Sequence, residues 1–149
     1  MHFRQHQEYA WLSSASSDHM IGFGDALRLF REERGLSLRE LGTLSGVNFA
    51  YIQRLESNDK TAPSDEKVDD LCAALKLTAQ RKGVLRALMT MPPVPDSLFD
   101  AMRQHPAASV DAFIVAAKVS FRGNRPVTPQ DWIDHLDMLD IEVLKKRDK

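Results

Sequence analysis

Three things are scarce in this 149-residue sequence: cysteine, long apolar runs and an excess of charge of either sign. The single cysteine, Cys72, excludes an internal disulfide, and its neighbours Leu71 and Leu75 predict that it is a small buried hydrophobe. No apolar run approaches the roughly 20 residues of a membrane span, and the N-terminus lacks the pattern of a signal peptide. We therefore expect a cytoplasmic protein with no membrane partner.

The charge is almost balanced, because 20 Lys and Arg residues meet 21 Asp and Glu residues and give a formal net charge of −1. The strong basic excess of many nucleic-acid binders is absent, so any affinity for DNA has to come from the placement of charges. The five histidines fit neither His-Glu-x-x-His nor a zinc spacing, and the acidic residues 131, 134, 137 and 140, with His135, favour a solvated helix face over a metal cage. We therefore expect that the protein is not an enzyme and that it binds neither a metal ion nor a cofactor.

The composition, with 43% hydrophobic and 28% charged residues, is that of a soluble globular protein. Residues 1–20 are polar and without a sustained apolar period, which predicts a mobile arm. Residues 21–91 then carry helical patterns, the run Pro92-Pro93-Val94-Pro95 predicts a stiff extended linker, and residues 96–149 form a second helical unit. No stretch reads as a convincing strand, so the predicted fold class is all-α.

Five helices are predicted in residues 21–91. Apolar residues at helical spacing place four of them at about 22–34, 37–45, 48–57 and 64–76, and a fifth follows the cap Thr78. The second, third and fourth helices are predicted to begin at the caps Ser37, Asn48 and Ser64, and glycines, Gly35 and Gly46, are predicted to end the first two. Leu38, Leu41 and Leu44 are predicted to form the buried stripe of the second helix.

The strongest motif is Leu41-Gly42-Thr43-Leu44-Ser45-Gly46-Val47, followed by Ile52, Leu55 and Glu56. Gly42 lets two short helices approach, Gly46 supplies a left-handed turn, and Val47 plugs the core beneath it. This stretch resembles the phage-repressor helix-turn-helix family, the Cro or XRE type, over about 54 residues. Asn58 stands where the family usually has glycine, and it tolerates the same left-handed conformation.

The resemblance implies that the third helix enters the major groove of an operator and presents Asn48, Phe49, Ala50, Gln53 and Arg54 to DNA. Arg54 can contact guanine with two hydrogen bonds, and Phe49 and Ala50 can pack on thymine methyl groups. The expected phosphate contacts are Gln53, Arg39, Ser57, Lys60 and Thr61. Leu38 replaces the glutamine that often makes a phosphate contact in this family. The near-neutral charge leaves a protein-binding use of the same fold open.

The second unit is predicted to contain three helices, and it carries more apolar side chains than a domain of about 55 residues easily buries. We expect it to form a homodimer that binds a palindromic operator. The residues expected in the dimer contact are Phe113, Ile114, Trp132, Leu136 and Leu139.

The run Phe121-Arg122-Gly123-Asn124-Arg125-Pro126, followed by Asp131-Trp132, resembles the DdrO- and ImmR-type repressors. That resemblance implies a small helical dimerisation domain and inactivation by a partner zinc metalloprotease of the ImmA/IrrE type. We place the cut at the bond between Phe121 and Arg122, in an accessible turn rich in glycine and proline. The alternative is an antitoxin, in which the same DNA-binding unit represses its own operon and the C-terminal helices mask a toxin.

Overall fold

The structure is a computed structural model that describes residues 19–59, 63–119, 121 and 123–147. Residues 1–18 of the predicted arm, and the predicted site residues Lys60, Thr61 and Arg122, lie outside these ranges. Within them the chain forms eight helices and one pair of short strands. In chain order they are β1 (Met20–Ile21), α1 (Phe23–Glu33), α2 (Leu38–Ser45), α3 (Phe49–Glu56), α4 (Asp65–Leu75), α5 (Ala79–Leu88), β2 (Val94–Pro95), α6 (Asp96–Gln104), α7 (Val110–Lys118) and α8 (Pro129–Arg147).

Helices α1 to α5 confirm the all-α helix-turn-helix architecture, and α2 to α5 begin at the predicted caps. The side chains of Ser37, Asn48, Ser64 and Thr78 each accept a hydrogen bond from a backbone N–H in the first turn of the following helix. The predicted left-handed positions are also confirmed, with φ of 67° at Gly35, 76° at Gly46 and 62° at Asn58.

The predicted buried stripe of α2 is wrong at one position. Leu41 is fully buried, but 59% of the surface of Leu44 is exposed. Residues three apart on a helix of 3.6 residues per turn drift by about 60° per step, so a stripe of three such residues turns away from the core at one end.

The two strands are a feature that the sequence patterns did not predict. Ile21 lies opposite Val94 in an antiparallel pair, and the N–H of Asp96 donates to the carbonyl of His19 at 2.9 Å. Val94 and Pro95 are buried, so the second half of the proline-rich run is part of the packed structure and not a solvated connector. That residues 21–91 and 96–149 are separate domains, divided at 92–95, therefore stays a prediction.

One apolar core runs across that proline-rich segment. Phe30 of α1 contacts Phe99 of α6, with ring centroids 5.5 Å apart. The side-chain amide of Gln80 on α5 donates to the carbonyls of His105 and Ala108, at 2.8 and 2.9 Å, and so fixes the connection between α6 and α7. Burial of apolar surface across this boundary stabilises the helix-turn-helix unit as well as the C-terminal helices.

The acidic residues of α8 have structural partners. Asp131 accepts hydrogen bonds from the backbone N–H groups of Thr128 and Val127, at 3.2 Å each, and these bonds lower the pKa of its carboxyl group. Asp137 lies 2.6 Å from the Nε2 of His105, and Asp140 accepts from the backbone N–H and the hydroxyl of Ser109. Two of the acids therefore attach α8 to the connection before α7, where the sequence had predicted a solvated face.

Among the described residues no group of three or more His, Cys, Asp or Glu side chains is placed to hold a metal ion. None of the helices in these ranges is both long enough and apolar enough to cross a membrane.

Candidate nucleic-acid interface

The turn between α2 and α3 is fixed at both ends by caps and in the middle by a close approach. Ser37 and Glu40 form a reciprocal capping box at the start of α2, with both N···O distances 3.0 Å. A Cβ on Gly42 would lie 3.0 Å from the carbonyl oxygen of Val47 and 3.3 Å from the Cβ of Phe49. Gly42 thus lets the start of α3 lie directly against α2, as its position in the motif predicted.

Helix α3 has one buried and one exposed side. Ile52 and Leu55 are buried in the core, which confirms the predicted inward face. The opposite side carries only exposed residues, namely Asn48, Phe49, Ala50, Gln53 and Arg54. The structure therefore brings all five predicted base-facing residues onto one solvent-accessible surface, and their contact with DNA stays a prediction.

Asn48 uses one end of its side chain to cap α3. Its amide oxygen accepts from the backbone N–H groups of Ala50 and Tyr51, at 2.8 and 3.4 Å. The oxygen therefore stabilises the helix, and the NH₂ group is the part of the side chain that can donate to a base edge or a phosphate.

Arg39 and Phe49 form a contact between the two helices of the motif. The guanidinium carbon of Arg39 lies 4.6 Å from the centroid of the Phe49 ring, and Phe49 is 37% exposed. This cation–π contact restricts the rotamers of Arg39 and holds its donors beside the start of α3. Sequence reasoning assigned the two residues separate roles and missed the pair, because no local spacing relates them.

Ser57, whose phosphate contact stays a prediction, has acceptors of its own chain close to its hydroxyl. The hydroxyl of Ser57 lies 3.1 Å from Oδ2 of Asp59 and can donate to it. A hydroxyl has a single proton, and one that donates it to a carboxylate cannot also donate to a phosphate, whose oxygens are acceptors. The neighbouring negative charge of Asp59 further disfavours a phosphate at this point.

A partly buried ion pair orients the C-terminal end of α3. Arg31 donates to both carboxylate oxygens of Glu56, at 2.7 and 2.8 Å, and to the carbonyl of Leu36 at 2.9 Å. The two side chains are only 13% and 7% exposed, and the hydrogen bond to Glu56 raises the pKa of Arg31. The pair joins α1, the α1–α2 turn and α3, and sequence reasoning missed it because Arg31 and Glu56 lie on separate helices.

Helix α1 also approaches α3 at a glycine. A Cβ on Gly24 would lie 2.3 Å from the carbonyl oxygen of Leu55, 2.7 Å from Oδ1 of Asn58 and 3.0 Å from the carbonyl oxygen of Glu56. Real Cβ atoms do not approach backbone oxygens so closely, so the position of α3 against α1 requires glycine at residue 24.

The residues predicted for a dimer contact lie within the chain's own core. Phe113, Trp132, Leu136 and Leu139 are buried, and Ile114 is partly buried against the same core. The indole N–H of Trp132 donates to the hydroxyl of Ser97 at 2.9 Å. Side chains used in this way cannot also contact a second copy unless the core opens, so dimerisation stays a prediction that needs another surface.

The predicted cleavage segment is only half described, since Arg122 lies outside the described ranges. Phe121 is partly buried, and its ring packs edge-on against Trp132 and His135, with centroid distances of 5.8 and 5.3 Å. Gly123, Asn124 and Arg125 are exposed and border an open hollow of about 870 Å³ beside α8.

Residues 27–81 match a protein-family model described as helix-turn-helix. The match and the turn geometry agree that the N-terminal part of the chain contains a helix-turn-helix domain.

Three relatives extend that comparison. The HTH-type transcriptional repressor RghR of Bacillus subtilis (strain 168) is 41% identical over 58 residues, 39% of this chain and 43% of RghR. The uncharacterized HTH-type transcriptional regulator RghRB of the same strain is 27% identical over 128 residues, 85% of this chain and 88% of RghRB. The HTH-type transcriptional regulator DdrOP3 of Deinococcus deserti is 29% identical over 117 residues, 74% of this chain and 89% of DdrOP3. The similarity to RghRB and DdrOP3 therefore reaches well beyond the helix-turn-helix domain.

Proposed function

We propose that the protein is a transcriptional repressor that binds double-stranded DNA at a specific sequence, with α3 in the major groove and α2 across the sugar-phosphate backbone. The observation that carries the proposal is the two-sided α3, which is exposed along Phe49, Ala50, Gln53 and Arg54. The partly buried pair Arg31–Glu56 holds this helix in place. An α-helix fits the major groove of B-DNA, and one firmly held helix can read base edges there. The similarity to RghR, a transcriptional repressor, and to the transcriptional regulators RghRB and DdrOP3 supports a role in transcription.

The exposed residues divide into two roles. Arg54 reads guanine through two hydrogen bonds, Phe49 and Ala50 contact thymine methyl groups, and the NH₂ group of Asn48 donates to a base edge or phosphate. Arg39 and Gln53 contact phosphates and set the position of the domain on the duplex. Lys60 and Thr61 are also proposed to contact phosphates. Ser57 can contact a phosphate only if its hydroxyl stops donating to Asp59.

The test begins with selection of a binding duplex from a random library by the full chain. On the selected duplex, Arg54→Ala should lose about 1 to 3 kcal/mol of binding free energy and relax the preference at one base position. Arg34→Ala is the matched control, because Arg34 is also an exposed arginine but lies beside Arg81 and Pro106, on another part of the surface from α3. An equal loss for Arg54→Ala on selected and random DNA would contradict base reading.

We further propose that the repressor acts as a homodimer and that a zinc metalloprotease of the ImmA/IrrE type inactivates it by cutting between Phe121 and Arg122. The exposed turn at 123–125 favours access, and the match to DdrOP3 includes most of the chain. A cut at this bond separates α8 from the rest of the chain. Because α8 supplies Trp132 and Leu136 to the core, the C-terminal unit would then lose its packing.

Mass spectrometry after incubation with a zinc-loaded protease of the ImmA/IrrE type, encoded beside the repressor in its genome, tests the cut. The expected result is an N-terminal fragment that ends at Phe121 and has lost operator binding. A cut between Pro92 and Pro95 would refute the position, and a chain that stays uncut and binds a toxin encoded beside it would refute control by proteolysis.

A further inference from the structure

Two aromatic residues in the first turn of α3 each hold a cation from a neighbouring helix. Arg39 of α2 lies over the ring of Phe49, and the ammonium nitrogen of Lys67 on α4 lies 4.2 Å from the centroid of the Tyr51 ring. Phe49 and Tyr51 are two residues apart, which corresponds to about 200° around an α-helix. The two cations therefore lie on nearly opposite sides of α3.

Lys67 is not placed to stabilise its own helix. It is the third residue of α4, after the cap Ser64, where the helix macrodipole favours an acidic side chain and disfavours a cation. Glu40 occupies the same position of α2 and completes a capping box there, whereas a lysine only donates hydrogen bonds and cannot form one. No ion pair of the described residues includes Lys67. Its charge is therefore available to a partner outside the chain.

Lys67 borders a cavity of about 410 Å³ that lies beside the start of α3. Asn48 and Tyr51 line this cavity from α3 and its cap, and Ser64 and Lys67 line it from α4 and its cap. The NH₂ group of Asn48 is one of the donors proposed to face DNA. The ammonium group of Lys67 is thus held at the edge of the proposed interface, although α4 itself is not part of the helix-turn-helix motif.

The positions of the two cations match the shape of B-DNA. An α-helix with its side chains is about 10 to 12 Å wide, and the major groove is about 12 Å wide. When α3 lies in the groove, one sugar-phosphate strand runs along each of its sides. Arg39 then lies on the side of one strand, and Lys67 lies on the side of the other.

We propose that Lys67 contacts a backbone phosphate on the strand opposite to the one that Arg39 contacts, and that the ring of Tyr51 positions its ammonium group. This inference rests on the proposed DNA-binding function and adds to it a contact from α4. Phosphate contacts on both sides of α3 fix the orientation of the helix in the groove. They also supply affinity by charge placement in a chain whose net charge is −1.

The first experiment measures, by fluorescence anisotropy at several salt concentrations, the affinity of the full chain for the selected duplex and for a random duplex of equal length. Lys67→Met keeps the apolar stem and removes the charge. It should weaken binding to both duplexes about three- to tenfold at about 0.1 M salt, and should reduce the slope of log K against log salt by about 0.9.

Lys76→Met is the matched control, because Lys76 is an exposed lysine at the opposite end of α4 and borders a different hollow, together with Arg34. This variant loses the same charge and should keep the wild-type slope. Wild-type affinity and slope for Lys67→Met, or an equal loss for Lys76→Met, would overturn the assignment.

The second experiment tests whether Tyr51 acts through Lys67. Tyr51→Leu should weaken binding about twofold or more while Lys67 is present, because the ammonium group loses the ring that holds it. Combined with Lys67→Met, it should cause no further loss, whereas a merely structural role would weaken binding equally in both backgrounds. Tyr51→Phe keeps the ring and should bind like the wild type, and circular dichroism checks that every variant folds. Equal losses in both backgrounds, or a loss for Tyr51→Phe, would refute the positioning role.

The same measurements separate the role of Lys67 from the function on which it rests. If Arg54→Ala relaxes the base preference while Lys67→Met binds like the wild type, only the assignment of Lys67 is wrong. If the full chain binds no duplex even at low salt, the DNA-binding function fails and the assignment of Lys67 fails with it.

Discussion

Gly24→Ala is the sharpest test of how α3 is held. The added methyl group would lie 2.3 Å from the carbonyl oxygen of Leu55 and 3.0 Å from that of Glu56. These are backbone atoms of the last turn of α3, so no side-chain rotation can relieve the overlap. The end of α3 would have to retreat by roughly 1 Å to restore an ordinary contact distance of about 3.5 Å.

Two opposing effects set the size of the change. Alanine in place of glycine inside a helix stabilises by about 1 kcal/mol, because the unfolded chain has less conformational freedom to lose. Overpacking of a tight contact usually costs about 1 to 3 kcal/mol. Retreat of α3 also strains the partly buried pair Arg31–Glu56, at a cost below the roughly 3 to 5 kcal/mol that follows complete loss of one partner of a fully buried pair. We expect a net destabilisation of about 1 to 3 kcal/mol.

Urea unfolding of the full chain, followed by circular dichroism, measures this difference. Gly83→Ala is the matched control, since residue 83 is also a helical glycine with a close neighbour. There the nearest atoms all belong to the side chain of Val110, with a methyl carbon at 2.5 Å, so the overlap does not displace α3 or strain Arg31–Glu56 and we expect a destabilisation of no more than about 1 kcal/mol. A Gly24→Ala variant as stable as the wild type, or more stable, would refute the reasoning.

Three further predictions concern the rest of the fold. A chain that ends at Met91 should have a free energy of unfolding in urea that is lower by about 3 to 6 kcal/mol, because Ile21 and Phe30 lose their apolar contacts with Val94 and Phe99. Unchanged stability would mean that the helix-turn-helix unit folds independently of the C-terminal helices. Asp131→Asn should destabilise the chain, with the full effect above about pH 5. The stability that comes from a lowered carboxyl pKa is lost on protonation, so the difference from the wild type should fade below the usual aspartate pKa of about 3.9, and a difference that persists at pH 2 would contradict this. Burial raises the pKa of the Cys72 thiol, so a thiol reagent at pH 8 should react at least tenfold slower with the folded than with the urea-unfolded chain, and equal rates would disprove its burial.

Local chemistry was predictable from the sequence. The caps Ser37, Asn48 and Thr78 and the left-handed Gly46 and Asn58 depend on residues within one turn of themselves, and all five lie where the patterns placed them. The inward face of α3 followed from helical periodicity for the same reason.

Contacts between distant segments were not predictable. Arg31 and Glu56, Arg39 and Phe49, and the strand pair at Ile21 each join positions that no periodic pattern relates. The apolar excess of the C-terminal unit was correctly noticed, but composition cannot tell inner from outer side chains. Packing alone assigns Trp132 and Leu136 to the core and leaves other residues of α8 exposed.

The β1–β2 pair has a consequence for the order of folding. Helices α1 to α5 form from contacts close in sequence, which usually assemble fast, whereas this pair joins the two ends of that unit and closes a long loop. Its hydrogen bonds should therefore form after the helix-turn-helix helices and open before them. The amide of Asp96, which donates to the carbonyl of His19, would then exchange with solvent at the rate at which the C-terminal helices undock, well ahead of the amides inside α1.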